Sequence, residues 1–249
     1  MDSTSFSTKI VLVIPCYNEE KRLPVEKYID FIDSRSGLSL VFVDDGSTDR
    51  TAEYLETIRR AAPRSVRLAS IEKNVGKAEA IRHGVLLAAS SIEYELLGYW
   101  DADLSTPLTE LPLFVEAFHQ RPCQFVSGAR ILRMGGDISR HWYRHYLGRS
   151  FATATSIALN LPYYDTQCGA KMFRREMTDV LFEKPFLSHW LFDIELIFRL
   201  KKTIPEEQIQ KLFYEVPLTS WRDIPGSKLA LTDYLRAPYD LFQIWRQYS

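Results

Sequence analysis

Residues 99–103 are Tyr99-Trp100-Asp101-Ala102-Asp103, which place two carboxylates one residue apart at the end of an apolar run. That run, residues 96–100, predicts a buried strand. Residues i and i+2 of an extended backbone point to the same side, so we expect Asp101 and Asp103 to converge. Converging anions favour a shared cation, and oxygen ligands suit Mg²⁺ or Mn²⁺. Taken alone, however, the spacing favours a solvated turn over a metal site.

Length, charge and cysteine content limit the class of protein. The chain has 249 residues, 46% of them hydrophobic, and 31 Lys+Arg against 32 Asp+Glu give a formal net charge of -1. This balance gives no support for a nucleic-acid binder. Three widely spaced cysteines indicate reduced thiols and an intracellular compartment. The polar N-terminus and the lack of about 18 consecutive apolar residues predict neither a signal peptide nor a membrane-spanning helix.

Strand and helix patterns alternate through the first half of the chain. The predicted strands are 10–14, 39–43, 66–71, 96–100 and 125–128, and the predicted helices between them include 51–61, 78–89 and 111–119. Continuous apolar runs are typical of parallel strands buried on both faces, and this alternation indicates βαβ units. We expect Pro15 to end the first strand and Asp49 to cap the helix that starts at Thr51.

The regular alternation of predicted strands and helices ends at about residue 131. Helices are predicted over 140–159, 192–201 and 235–248, with strands near 171–173 and 212–216. No linker rich in Gly, Pro or Ser divides the chain, so we predict one domain spanning residues 1–249. Its fold class is α/β with a mostly parallel sheet.

Polar residues follow each of the first four predicted strands, where ligands bind in open parallel sheets. They are Asn18-Glu19, Asp44-Asp45, Asn74-Val75-Gly76-Lys77 and the Asp101/Asp103 pair. The dinucleotide fingerprint GxGxxG is absent. The phosphate loop GxxxxGK is also absent, because Ile71 stands where its first glycine belongs. The positions therefore suit a nucleotide but neither a Rossmann cofactor nor a P-loop.

These stretches resemble the successive motifs of family 2 glycosyltransferases. The matching segments are Ile14-Pro15-Cys16-Tyr17-Asn18-Glu19-Glu20, Val43-Asp44-Asp45-Gly46-Ser47-Thr48-Asp49, Asn74-Val75-Gly76-Lys77 and Asp101-Ala102-Asp103. Residues 165–173, 190–196 and 221–229 further resemble the dolichyl-phosphate β-glucosyltransferase branch of that family. The resemblance implies a GT-A fold, a Rossmann-like three-layer α/β/α sandwich. Residues of about 9–130 would form the nucleotide-sugar-binding half and 131–249 the acceptor-binding half, with an amphipathic C-terminal helix.

The resemblance also implies which residues bind the donor. The expected nucleotide-sugar-binding residues are Pro15, Tyr17, Glu19, Asp44, Lys77, Asp101, Ala102, Asp103 and Gln167. Asp103 would ligate Mg²⁺ or Mn²⁺ on the diphosphate, and Asp165 would join Gln167 beside the sugar. Residues of these motifs can also have purely structural roles. Pro15 and Tyr17 can shape a turn, Asp45 and Asp49 can serve only a turn and a helix cap, and Lys77 can be an exposed lysine.

The acceptor is expected to contact arginines downstream. Arg130 matches the family's acceptor-phosphate arginine, and Arg140 or Arg144 would supply a second, although a solvated helix face is an equal alternative for these two. Asp193 stands where many relatives that use hydroxyl acceptors carry a base. A lipid phosphate is mostly a dianion at neutral pH and needs no strong base. The predicted catalytic residues are Asp193, Asp103 and Arg130.

The leading hypothesis is an inverting transfer of glucose from UDP-glucose to a polyprenyl or dolichyl phosphate. The alternatives are another donor (GDP-mannose or UDP-GlcNAc), a hydroxyl acceptor, or a nucleotide-sugar-binding module without turnover. A two-carboxylate glycosidase is disfavoured because the acids cluster where a nucleotide should lie. The aromatic and basic helix 140–159 and the tail suit either a membrane interface or ordinary packing. We expect a cytoplasmic protein in peripheral contact with the cytoplasmic face of a membrane.

Overall fold

The computed structural model describes residues 6–139, 142–226 and 231–248. The chain forms two compact units. The first comprises Met1–Leu104 and Met172–Pro185, and the second comprises Ser105–Lys171 and Phe186–Ser249. In the described residues, the larger sheet has seven strands in the order β3 (Val66–Ile71), β2 (Leu38–Asp45), β1 (Ile10–Cys16), β4 (Leu96–Trp100), β7 (Ala170–Arg174), β5 (Phe125–Ala129) and β8 (Phe213–Pro217), numbered along the chain. The assignment of all 249 residues to one domain stays a prediction.

The first unit is built from alternating strands and helices. Its elements are β1 (Ile10–Cys16), α1 (Val25–Asp33), β2 (Leu38–Asp45), α2 (Thr51–Ala61), β3 (Val66–Ile71), α3 (Lys77–Ser91), β4 (Leu96–Trp100), most of β7 (Ala170–Arg174) and α6 (Thr178–Phe182). β1 pairs in parallel with β2 and β4, and β2 pairs in parallel with β3. The apolar runs that predicted these strands are almost completely buried. Their polar carboxyl ends therefore lie along one edge.

Gly84 shows how closely helix α3 packs on the strands of this unit. A Cβ on Gly84 of α3 would lie 2.5 Å from Val13 and 2.7 Å from Val43, so only glycine lets the helix approach the sheet this closely.

The expectation that Pro15 ends β1 is wrong. Pro15 lies within β1, opposite Val43 of β2. The pairing of β1 with β4 reaches only to Val13, so Pro15 lies where the strand has a partner on one side, the position that proline tolerates.

The second unit combines helices with short strands. Its elements are α4 (Leu111–Gln120), β5 (Phe125–Ala129), β6 (Asp137–Ser139), α5 (Trp142–Leu159), α7 (Phe192–Thr203), α8 (Glu206–Leu212), β8 (Phe213–Pro217), β9 (Ser220–Arg222) and α9 (Leu231–Tyr248). β5 pairs in parallel with β8, and β6 pairs in parallel with β9 in a separate two-stranded sheet. Phe114, Phe125, Phe192 and Ile194 are buried in its core.

The α/β class and the mostly parallel sheet are confirmed. No helix in the described ranges combines the length and the hydropathy needed to cross a bilayer. The predicted Asp49 cap is wrong in detail, because Arg50 occupies the capping position of α2. Asp49 still accepts the Thr51 N–H at 3.0 Å, so it stabilises the same helix end from one residue earlier.

Candidate functional site

The loops that follow β1 and β2 are joined by side-chain hydrogen bonds. The backbone N–H of Asn18 donates to the Ser47 hydroxyl at 3.0 Å, and the Asn18 side-chain oxygen accepts the Thr48 N–H at 2.8 Å. Glu19 donates its backbone N–H to Thr51 Oγ1 at 2.7 Å. Asn18 has a φ of 49°, a left-handed conformation that asparagine adopts more readily than most residues. The ends of two neighbouring strands are therefore held together.

Three predicted donor-binding residues lie at this edge of the sheet. Asp44, the expected partner of a uracil ring, is buried at the end of β2, where its Oδ1 accepts the Ser47 N–H at 3.0 Å. Its register partner on β1 is Cys16, which lies between Pro15 and Tyr17. The adjacent ends of β1 and β2 thus bring Pro15, Tyr17 and Asp44 to one edge. Their contact with a nucleotide stays a prediction.

Asp45 anchors the loop that leads into α3. Its carboxylate accepts hydrogen bonds from Asn74 Nδ2 at 2.9 Å, from the Val75 N–H at 2.8 Å and from the Gly76 N–H at 2.9 Å. Gly76 has a φ of 90°, which glycine adopts without steric cost. Because α3 begins at the next residue, Asp45 fixes the place from which Lys77 extends.

Asp45→Asn is expected to lower the free energy of unfolding by about 2–3 kcal/mol, as measured by urea denaturation at pH 7. The substitution turns one buried acceptor into a donor that faces a backbone N–H, and hydrogen bonds to charged groups are among the stronger ones. Asp33→Asn, at the exposed end of α1, is the matched control and is expected to change stability by less than about 0.5 kcal/mol. Equal effects of the two substitutions would contradict the anchoring role.

Two acid–cation pairs follow β4 in the first unit. Lys77 Nζ lies 2.5 Å from Asp101 Oδ1, and Arg22 forms an ion pair with Asp103. Arg22 Nη1 also lies 3.7 Å from Glu19 Oε2. The structure therefore brings Glu19, Lys77, Asp101 and Asp103, all predicted site residues, into paired contacts within one unit. Positive charge already lies beside both carboxylates, which is the environment that a bound diphosphate would require.

The residues after β4 form a turn, so the predicted extended alternation of Asp101 and Asp103 is wrong. The Leu104 N–H donates to the Asp101 carbonyl at 3.2 Å, and Leu104 has a φ of 53°. The buried Tyr28 hydroxyl donates to the Ala102 carbonyl at 3.1 Å. Burial raises the pKa of Tyr28 well above its ordinary value, and neighbouring groups, Asp103 among them, raise it further. Tyr28 therefore stays protonated and holds the turn in place.

The side chains at this turn can bind a divalent cation only together with a bound phosphate ligand. Within the described ranges, no three His, Cys, Asp or Glu side chains are grouped so that they could hold a metal ion. Asp103 is a carboxylate already paired with the cation of Arg22. Mg²⁺ usually binds through one or two carboxylates and completes its shell from substrate phosphates and water. The donor set therefore fits a cation that Asp103 and a phosphate ligand hold together.

In the second unit, Arg130 forms a bidentate ion pair with Asp165. Arg130 donates its backbone N–H and Nε to Asp165 Oδ2 at 3.0 and 2.6 Å, and its Nη2 to Oδ1 at 2.7 Å. The Trp221 ring lies 5.2 Å from the guanidinium carbon. Glu215 accepts the N–H groups of Tyr164 and Asp165 at 2.8 and 2.9 Å, and burial raises the pKa of Glu215. The predicted acceptor arginine is thus held rigidly by a buried carboxylate.

A fully buried lysine occupies the same unit. The Lys171 side chain is 0% exposed, and its Nζ donates to Asp193 Oδ1 at 2.6 Å. The same ammonium donates to the carbonyls of Thr166 and Cys168 at 3.0 and 2.7 Å. Asp193, one of the predicted catalytic residues, is therefore a counter-ion of a buried cation.

Asp193 and Glu195 lie in the first turn of α7 but bind different partners. Glu195 is fully buried and accepts hydrogen bonds from Arg199 Nη2 at 2.7 Å and from the Tyr248 hydroxyl at 2.9 Å. Both acids suit the positive end of the helix dipole. The two carboxylates therefore serve different partners, and Glu195 ties α9 to α7.

The turn that Lys171 holds contains polar atoms that need a partner. Within the described residues, Thr166 Oγ1 and Gln167 Nε2 are buried and make no hydrogen bond. Unsatisfied buried groups are rare and costly, so this turn suits a hydroxyl-rich ligand. Burial raises the pKa of Cys168 to about 11, which leaves its thiol neutral and unreactive, in keeping with a packing role. Gln167 therefore lies in a turn that suits its predicted role.

The other two predicted acceptor arginines are not placed. Arg140 lies outside the described residues, and Arg144 lies in α5 with its side chain outside the described part of the chain. Their contact with an acceptor stays a prediction.

Two important side chains, Arg22 and Lys171, were not assigned a role from the sequence. Arg22 and Asp103 are 81 residues apart in sequence, and Lys171 and Asp193 are 22 apart. Arg22 follows Lys21 in a loop, and no local pattern indicates which of these two cations pairs with Asp103. The sequence does indicate a role for Lys171. A lysine within an apolar strand segment is expected to be buried, and a buried lysine requires a partner.

Comparison with known proteins supports the motifs. Residues 11–182 match the family model described as Glycosyl transferase family 2. The chain is 30% identical over 259 residues to the dolichyl-phosphate beta-glucosyltransferase of Saccharomyces cerevisiae, covering 95% of this chain and 74% of that protein. It is 29% identical over 233 residues to the enzyme of the same name from Dictyostelium discoideum, covering 88% and 68%.

Solved structures support the fold. A glucosyl-3-phosphoglycerate synthase from Mycobacterium tuberculosis, crystallised with Mn²⁺, UDP and phosphoglyceric acid, aligns with a TM-score of 0.65 at 18% identity. The alignment covers 96% of this chain and 79% of that one. At this identity the likeness bears on the fold, and it confirms the predicted GT-A architecture. With a family model that matches most of its length and curated relatives along nearly all of it, the chain belongs to glycosyltransferase family 2 and is a glycosyltransferase.

Proposed function

We propose that this enzyme transfers glucose from UDP-glucose to a polyprenyl or dolichyl phosphate, inverting the configuration and releasing UDP. The observation that carries the proposal is the pair of acid–cation contacts after β4, Lys77 with Asp101 and Arg22 with Asp103. A nucleotide diphosphate and its metal ion need both a carboxylate and nearby cations. The names of the curated relatives support the glucosyl group and the lipid-phosphate acceptor.

The donor is assigned to the first unit. The base and ribose are placed at Pro15, Tyr17 and Asp44, where the ends of β1 and β2 form one edge. Lys77 offsets the negative charge that grows on the leaving diphosphate. When bound through Asp103, Mg²⁺ or Mn²⁺ supplies further neutralisation of that charge; the M. tuberculosis synthase was crystallised with UDP and either ion.

The acceptor is assigned to the second unit. Arg130 is oriented by its bidentate contact with Asp165, which leaves little freedom in the guanidinium. A phosphate oxygen forms the new bond to the anomeric carbon from the face opposite UDP, and the bond from that carbon to the diphosphate breaks. Since the acceptor phosphate is largely dianionic near neutral pH, this step requires no proton transfer to the protein.

Contact with a lipid surface is assigned to α9. Tyr239, Phe242 and Trp245 recur at intervals of three residues and are 59%, 51% and 47% exposed. Ala237 and Ile244 on the other side of the helix are buried. Exposed aromatic residues suit the headgroup region of a bilayer. We assign the protein to the cytoplasmic side, in peripheral contact.

A transfer assay tests the proposal. Radiolabelled UDP-glucose, GDP-mannose and UDP-GlcNAc are each offered with a short polyprenyl phosphate, with and without Mn²⁺ or Mg²⁺, and polyprenol serves as the uncharged control acceptor. We expect lipid-linked label only from UDP-glucose with polyprenyl phosphate and metal. Equal transfer to polyprenol would overturn the acceptor assignment, and labelling from another donor would overturn the sugar assignment. Stabilisation by UDP without any transfer would support the rival binding module.

A further inference from the structure

Glu110 is a buried carboxylate that holds the segment between β8 and β9. It lies at the end of the 3-10 turn Leu108–Glu110, just before α4, and is 2% exposed. Its Oε2 accepts the Thr219 N–H at 2.8 Å, and its Oε1 accepts the Ser220 N–H at 3.1 Å and the Thr219 hydroxyl. Burial of a carboxylate is costly unless hydrogen bonds replace its hydration, and these three donors supply them. Glu110 therefore fixes the place at which β9 begins.

β9 leads from this carboxylate directly to the candidate acceptor arginine. Trp221 follows Ser220 in β9 and is 7% exposed, and the centre of its ring lies 5.2 Å from the guanidinium carbon of Arg130. A cation within about 6 Å of the centre of an aromatic ring is attracted to its face, and most strongly to that of tryptophan. The guanidinium of Arg130 thus has Trp221 against it, while Asp165 accepts its N–H groups.

The backbone on both sides of Arg130 is bonded to the same segment. The Leu218 N–H donates to the Ala129 carbonyl at 3.0 Å, and the Asp137 N–H donates to the Thr219 carbonyl at 2.9 Å. One of these bonds involves the residue that the buried carboxylate holds. A shift of the segment would therefore change the position of the arginine backbone as well as that of the tryptophan ring.

We propose that Glu110 is a positioning residue for the acceptor: it fixes the start of β9, so that Trp221 orients the Arg130 guanidinium toward the acceptor phosphate. The inference rests on the proposed function, since it takes Arg130 as the phosphate contact. A planar guanidinium binds phosphate through N–H groups with fixed directions, so a small rotation of its plane weakens the contact without removing the charge. Loss of the Glu110 contacts is therefore expected to weaken the binding of the acceptor and not that of the nucleotide sugar.

Glu110→Gln tests this role, and Glu116→Gln on the exposed face of α4 is the matched control. Glu110→Gln is expected to raise the KM for a short polyprenyl phosphate by about 10-fold and to lower the melting temperature, because the amide places an NH₂ group against a backbone N–H. The KM for UDP-glucose is expected to stay the same, and Glu116→Gln is expected to change none of these values. Equal rises in the two KM values, or a lower melting temperature with an unchanged acceptor KM, would overturn the proposal.

Trp221→Leu and the double variant show whether Glu110 acts through the tryptophan ring. Leucine is apolar but lacks the aromatic face, so the acceptor KM is expected to rise by about 5- to 10-fold. In Glu110→Gln/Trp221→Leu, the acceptor KM is expected to be no higher than in the more affected single variant, because residues that act through one another are not additive. If the effect of the double variant is the product of the two single effects, then Glu110 acts independently of Trp221 and the proposal is wrong.

Thr219→Val is a milder variant that serves if Glu110→Gln does not fold. It removes only the hydroxyl bond to Glu110 and is expected to raise the acceptor KM by about 2- to 3-fold, with an unchanged KM for UDP-glucose. A rise shared by both substrates, or an unchanged acceptor KM, would count against the proposal.

The failure of the proposed function is recognised from the wild-type protein. If that protein transfers no glucose to polyprenyl phosphate, the acceptor role fails with it, and two measurements without substrate still test the contacts of Glu110. Hydrogen exchange of the Thr219 and Ser220 amides is expected to be faster in Glu110→Gln. The emission of Trp221, obtained by subtracting the spectrum measured after Trp221→Leu, is expected to shift to longer wavelength. Unchanged exchange and emission would show that Glu110 does not position β9.

Discussion

Asp103→Asn is expected to abolish the stabilisation of the protein by UDP with Mn²⁺ and to lower glucose transfer by more than about 100-fold. Even the outer partners of a metal site typically contribute 10–100-fold, and Asp103 is the proposed direct ligand. The amide keeps the shape of the carboxylate but loses the charge that favours a divalent cation. Thermal-shift measurements with UDP, with Mn²⁺ and with both together provide the readout.

Arg22→Gln is the matched control for this substitution. Both changes break the ion pair between Arg22 and Asp103, but only Asp103→Asn removes the proposed metal ligand. Arg22→Gln is therefore expected to keep the dependence of the UDP shift on Mn²⁺, although the shift itself is smaller because one cation near the diphosphate is lost. Equal loss of the metal-dependent shift in the two variants would assign Asp103 to holding Arg22 and would remove it from the metal shell.

Arg130→Gln is expected to lower the free energy of unfolding by about 3–5 kcal/mol and to raise the KM for polyprenyl phosphate more than that for UDP-glucose. The loss of stability arises because the buried Asp165 carboxylate loses its ion pair with Arg130. The effect on the acceptor arises because the arginine is the proposed phosphate contact. Urea denaturation and steady-state kinetics with each substrate varied in turn measure the two effects.

The double variant Arg130→Gln/Asp165→Asn separates structure from binding. Removing both charges is expected to restore most of the lost stability, as for other buried ion pairs replaced by neutral groups. The acceptor KM is expected to stay high, because the cation is still missing. If the acceptor KM recovers together with stability, then Arg130 serves only to hold the segment that contains Asp165.

The strands and most helices were predictable because their signals are local. The apolar runs at β3 and β4 matched the observed strands residue for residue, and α2 had the predicted bounds. Short elements such as β6, β9 and α6 were missed, since the two strands have only three residues each and the five residues of α6 are too few to show a helical period. Pro15 was misassigned because its effect depends on whether a neighbouring strand needs its N–H, which only the register reveals.

The candidate site was predictable in its types of residue and less so in its pairings. Motif resemblance singled out Asp101, Asp103, Lys77 and Arg130, and the structure gives each of them an oppositely charged partner. The partner of Asp103 lies far away in sequence, and no spacing rule links it to Arg22. Turn formation after β4 also changes the directions of the two carboxylates, because a hydrogen bond from the Leu104 N–H to the Asp101 carbonyl replaces the extended alternation.

The anchoring of the loop before α3 has a consequence for the dynamics of the protein. Loops that bind ligands usually belong to the least stable parts of a structure and exchange their amide hydrogens quickly. The amides of Val75 and Gly76 are instead bonded to the buried Asp45 carboxylate, so we infer that they exchange slowly even without ligand. A loop that is ordered before binding has little conformational entropy left to lose. Lys77 thus meets an incoming ligand from a preorganised backbone.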